Sequence, residues 1–293
     1  MNLTQEQMIY IKEHLRDADK TYAVCALAKK IAETNSDMAL DHEEVSVASL
    51  VMNIGETNEK MMVNGVSIYS KEYGPWDDTA KTLNAERGSL SVEMATEQGI
   101  ELSDSAKDAI IASSKGGSLN KMGIALKVAQ TMEAIKHTRW SRGEQKESVQ
   151  NIDEMTEIVG EELDFMLSKQ DIDKQTKNQI KESMLSSARE VYVSEKQHSI
   201  KSKIIHVNWD EGKMMQEMGI EYIIPSIMEP ERVEQLLKNV PVERIDELHN
   251  EVDQITSQQD STSMYEVEKT VVKLLGKWEK EYIERNEKDD IED

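Results

Sequence analysis

The chain has 293 residues, 38% of them hydrophobic and 31% charged, with a formal net charge of −22 at pH 7. That length suits one large domain or two ordinary ones, and the acidity disfavours nucleic acid and anionic lipid, whose phosphates it would repel. No apolar run reaches the roughly 18–20 residues that span a bilayer, and the single cysteine, Cys25, excludes an internal disulfide.

The first residues lack the basic and apolar parts of a signal peptide, so a reducing, cytoplasmic setting is expected. Four prolines and 13 glycines leave most of the chain free for long helices, and 17 methionines against one phenylalanine point to an adaptable core. The fold class expected is mainly α.

Thr4 followed by Gln5-Glu6-Gln7 predicts a capping box opening a helix to about Leu15. Val24, Leu27, Ala28 and Ile31 give helical spacing over Thr21–Thr34. Asp41-His42-Glu43-Glu44 begins another helix, buried through Val45, Ala48, Leu50, Val51 and Ile54 and ended by Gly55. Residues 57–87 are irregular, with a turn at Tyr73-Gly74-Pro75-Trp76. Helices follow at Leu90–Gln98, capped by Gly99, and at Ala106–Ser113, capped by Ser103. After the Lys115-Gly116-Gly117-Ser118 break come helices at Met122–His137 and Val149–Leu167.

The polar stretch Ser168–Lys174 marks the expected domain boundary, giving domains 1–168 and 169–293. The second is read as a smaller, mostly helical module with helices at Gln175–Tyr192, from Glu231, at Val242–Ile255 and at Met264–Tyr282. Two short strands are expected at 204–209 and 220–224. The last 13 residues hold seven acids and two bases, a solvated tail.

Several words along the first half resemble a known family. Thr21-Tyr22-Ala23-Val24 looks like its opening helix, and Leu40-Asp41-His42-Glu43-Glu44 through Glu56 its next. Ser91-Val92-Glu93-Met94 resembles the segment after a further histidine. Ala125–Ile135 resembles its Ile-Ile-Ala-Val-Ala-Asp-x-Phe-Asp-Ala-Leu word and is followed by Arg139 and Arg142. The family is the HD superfamily of metal-dependent phosphohydrolases, closest to the HD-GYP branch of cyclic-di-GMP phosphodiesterases. The resemblance covers roughly residues 5–165 and implies an HD-like helical bundle; residues 170–293 resemble no family.

Carried over position by position, the resemblance implies that the metal ligands are lost. The opening histidine falls at Thr21 and the His-Asp pair at Met52-Asn53. A later histidine falls near Arg87, paired histidines near Ser113-Ser114, and the last aspartate at Gln130. A thioether and neutral amides do not replace imidazole and carboxylate around a hard or borderline cation. Neither a metal nor any other cofactor is therefore expected. None of the six histidines has a HExxH or Cys/His spacing, and Cys25, on an apolar helix face, reads as a small buried hydrophobe.

The expected function is that of a catalytically inactive HD-type protein with a regulatory, sensory or scaffolding role through protein–protein contacts. Two alternatives stand beside it. One is a divergent metal-dependent phosphohydrolase of the cyclic-dinucleotide or nucleotide phosphodiesterase type. The other is a metal-free nucleotide sensor holding an anion with Arg139 and Arg142. The expected partner is another protein or a second copy of the chain. The stripe Val267, Val271, Leu274, Leu275 and Trp278 serves either a homodimer or its own domain.

Overall fold

The computed structural model describes residues 3–70, 78–137, 139–141, 144–149, 151–204, 230–257, 270–271 and 273–281; at 139–141, 144–146, 203, 204, 230 and 232 only the backbone is described. The chain is mainly α, as its composition and periodicity predict. It divides into two compact units, Met1–Val191 and Tyr192–Asp293.

The first unit opens with α1 (Gln5–Glu13), where Thr4 and Gln7 form the predicted capping box. Helix α2 (Ala18–Thr34) starts three residues before Thr21 because Asp17 caps it, accepting the Lys20 amide at 3.0 Å. Helix α3 (His42–Val51) is capped by Asp41, which accepts the amides of Glu43 and Glu44. It ends earlier than expected, and Gly55 lies inside a following 3-10 turn, Ile54–Thr57.

Residues expected to be irregular contain a hairpin, β1 (Met62–Val63) paired with β2 (Val66–Ser67). Asn64 and Gly65 have φ of 52° and 79°, the pair of positive values that a tight two-residue turn requires. Helix α4 (Asp78–Glu97) begins three turns before Leu90. Those turns carry few apolar residues, but Ala80 and Leu83 pack against a small cluster of Met61, Ile68 and Leu90.

Helix α5 (Asp104–Lys115) runs between the predicted Ser103 cap and Gly116, whose φ of 70° closes it. Helix α6 (Lys121–Ile135) is buried on nearly every side, through residues such as Ile124, Leu126, Val128 and Met132. It packs against α2, α5 and α7 (Ile152–Ser168) and is the axis of the unit. A second hairpin, β3 (Arg139–Ser141) with β4 (Glu144–Lys146), follows α6 in the stretch between the helices expected at Met122–His137 and Val149–Leu167. Helix α8 (Lys174–Ile204) gives its residues to Val191 to the first unit and the rest to the second.

The second unit continues with α9 (Pro230–Asn239), a 3-10 turn at Val242–Arg244, α10 (Ile245–Ser257) and helical residues at 273–281. Its core joins Ile200, Leu236, Leu237, Ile245, Leu248, Val252, Val271, Leu275 and Trp278. Trp278, 2% exposed, donates Nε1–H to Glu251 at 3.0 Å. Val271, Leu275 and Trp278 are therefore buried in their own unit, so of the two readings of that stripe these residues follow the one in which it packs on its own domain; Val267 lies outside the described residues. Of the strand expected at 204–209, Ile204 instead ends α8 and the rest lies outside the described residues, as do the strand expected at 220–224, the Tyr73–Trp76 turn and the acidic tail beyond Glu281.

Candidate functional site

A cavity of about 490 Å³ opens within the first unit, between α2, the 3-10 turn after α3, α4, α6 and α7. Thr21, Asn53, Arg87 and Gln130, each 32 to 43 residues from the next along the chain, all line it. Each is delivered by a separate element. Thr21 stands in the first turn of α2, almost fully buried, its hydroxyl donating to the Asp17 carbonyl at 2.9 Å. Gln130 faces the cavity from the middle of α6 and brings Nε2 to 3.6 Å from Met52 Sδ. Met52 itself is fully buried behind the wall.

The wall formed by Asn53 is held in place by Ser91. That hydroxyl accepts the Gly55 amide at 2.9 Å and donates to the Met52 carbonyl at 3.1 Å, so the 3-10 turn is fixed against α4. No side chain fits at position 55, where a Cβ would press on the Arg87 carbonyl oxygen and stand 2.8 Å from Ser91 Oγ. Arg87 extends from α4 and donates to Glu56 Oε1 at 3.1 Å, with each side chain 15% exposed.

Arg16 also lines the cavity and is held by Tyr69, donating to its carbonyl at 3.2 Å and lying over its ring at 5.0 Å. The Tyr69 hydroxyl donates to Asn84 at 2.8 Å. Its pKa is pushed up to about 12, first by burial and then by the Glu56 carboxylate, against the pull of Arg87 and Arg16.

The remaining expected positions do other work. Ser113 and Ser114 lie outside the cavity. Ser113 donates to the Ile110 carbonyl, whereas Ser114 accepts the Gly88 amide at 3.0 Å and so ties α4 to α5. Arg139 sits in β3 with its side chain outside the described residues, and Arg142 lies outside them altogether. Sequence reasoning missed the charged groups that face the same cavity: Arg16, Asp17, Lys20, Lys127 and Glu162. Their signal is weak, because charges near helix ends usually mean solvated surface.

The donor set does not fit a divalent metal. The lining includes three carboxylates, Asp17, Glu56 and Glu162, but no histidine or cysteine. Asp17 is engaged as a helix cap and Glu56 by Arg87, while Glu162 lies 3.8 Å from Lys127. Among the described residues no three His, Cys, Asp or Glu side chains gather in a way that could hold a metal ion. The cavity thus carries cations, amides and hydroxyls, beside three carboxylates that neighbouring groups already engage.

No protein-family model matches the chain, and no curated protein matches it. Two solved structures are similar to it. The HD domain of the phosphodiesterase PgpH from L. monocytogenes matches at 17% identity and a TM-score of 0.41, over 62% of this chain and 98% of that one. The same domain in complex with cyclic-di-AMP matches at 15% identity and a TM-score of 0.42, over 66% of this chain and 100% of that one.

Proposed function

We propose that the first unit is an HD-type helical domain working as a regulatory or sensory module, its cavity binding a ligand without hydrolysing it. One observation carries this reading: Thr21, Asn53, Arg87 and Gln130, the positions where the resemblance expects metal ligands, converge on a single cavity, and none brings an imidazole or carboxylate. Hydrolysis of phosphate esters at such a site needs a metal to lower the pKa of water and to neutralise the phosphate. Arg87 and Lys127 bring charge, but neither brings an activated nucleophile.

The test is metal analysis of the purified full-length protein, joined to an assay for release of product from cyclic dinucleotides and nucleotides with added manganese. The expected result is substoichiometric metal and no turnover. Stoichiometric iron, manganese or zinc accompanied by turnover overturns the reading in favour of a divergent phosphohydrolase.

A further inference from the structure

Among the described residues, two buried polar atoms on residues lining the cavity have no partner: the Nε–H of Arg87 and the Oδ1 of Asn53. Buried donors and acceptors are nearly always satisfied, so an orphaned donor and an orphaned acceptor on two residues that line one cavity call for a partner that the cavity can admit. Arg87 is suited to this because Glu56 holds its guanidinium through one terminal nitrogen while Nε keeps no partner among the described residues. A guanidinium offers its donors in a rigid plane that matches oxyanions.

The charge around the cavity agrees. Arg16, Lys20, Arg87 and Lys127 face it against three carboxylates, a local excess of positive charge in a chain of net charge −22. Among the described residues Lys20 has no ion-pair partner, and Lys127 has only the 3.8 Å contact with Glu162. These cations come from the start of α2, from α4 and from α6, hence from different directions. A planar carboxylate presents two oxygens in one plane, whereas a phosphate presents three and can be met from several sides.

We propose that the cavity binds a small phosphate-bearing molecule directly, with Arg87 Nε and Lys20 on the phosphate oxygens and Asn53 Oδ1 accepting a hydroxyl or N–H of the same ligand, without a bridging divalent cation. This rests on the reading of the cavity as a non-hydrolytic site. The side chains supply the positive charge that a metal supplies in a hydrolase.

Inorganic phosphate is the probe. The unfolding midpoint of the full chain, measured in phosphate against chloride at matched ionic strength and in EDTA, should rise with phosphate and saturate. Titration calorimetry with phosphate should then show about tenfold weaker binding in Arg87→Lys, which keeps the charge and loses the Nε edge. Lys20 is exposed and, among the described residues, in no ion pair, so Lys20→Met should fold as the parent does and weaken binding about two- to fivefold. Should Arg87→Lys fail to fold, the Lys20 variant decides.

A midpoint no higher in phosphate than in chloride overturns the proposal, as does phosphate binding that neither folded variant weakens. A phosphate effect abolished by EDTA overturns its metal-free form. The absence of a phosphate effect from a protein that also lacks metal and turnover removes the ligand assignment alone. Stoichiometric metal with turnover removes the underlying reading instead.

Discussion

Gly55 and Gly88 let the backbone approach its neighbours where a methyl group would not fit. A Cβ at 88 would stand 2.6 Å from Ser114 Oγ, and one at 55 would meet the Arg87 backbone. Gly55→Ala should therefore lower stability by about 1–3 kcal/mol, read from the urea midpoint. Gly117, with open space around it, is the control, and Gly117→Ala should stay within about 0.5 kcal/mol of the parent. Equal effects at the two positions would sink this account of the close approach. Titration gives a second test. Asp41 has its pKa lowered, first by the Glu44 amide it accepts, with a smaller contribution from Glu43. A depressed carboxyl adds stability above its unfolded pKa that is lost as pH falls through the folded value. Asp41→Ala should cost about 1 kcal/mol at neutral pH and progressively less in acid. Tyr69 has the opposite sign. Its neutral phenol adds stability that is complete below its ordinary pKa of 10.0 and lost as pH rises through about 12, and Tyr69→Phe should flatten that alkaline decline.

Helix α4 is held on both sides by serine hydroxyls that accept glycine amides, Ser91 for Gly55 and Ser114 for Gly88. Replacing Ser91 by alanine strands the buried Gly55 N–H and should cost about 1–3 kcal/mol, whereas Ser114→Ala removes a part-buried bond to an amide inside α4 and should cost about 1 kcal/mol, both measured by denaturant unfolding. Native stability in Ser114→Ala would show that the α4–α5 seam does not depend on this bond. These ties also mark the limit of what the chain's order of residues discloses. Caps at Thr4, Asp41, Ser103 and Gly116 are local signals, and helix existence followed from them and from apolar spacing. Ser114 and Gly88 are 26 residues apart, and nothing near either residue says that they meet. The start of α4 was hidden because its first three turns bury only a little apolar surface, and the β1–β2 hairpin because its strands are two residues each, although Asn64-Gly65 is a recognised turn pair. At the site, Thr21, Asn53, Arg87 and Gln130 were found through the resemblance. Lys20 and Lys127 were not, because a lysine beside a helix cap or between apolar neighbours reads as solvated until tertiary packing places the cavity next to it.

For the molecule as a whole, a net charge of −22 means that folding gathers like charges into a smaller volume. Added salt screens that repulsion, so the thermal midpoint should climb by a few degrees between about 0.02 and about 0.3 M potassium chloride. A flat or falling midpoint would mean that screened attractions such as Lys181–Asp164 and Lys29–Glu43 outweigh the repulsion. The two units have separate cores, one gathered around α6 and the other around Trp278, so a probe seated in one of them reads that unit directly. Cys25 is such a probe, and it needs no engineering. It is half-buried on α2, with its sulfur 3.2 Å from the Ser46 hydroxyl on α3, and it is the chain's only thiol. Its rate of labelling by a thiol reagent is a one-site clock for the parting of α2 from α3, ticking in the native protein while the rest of the chain stays silent.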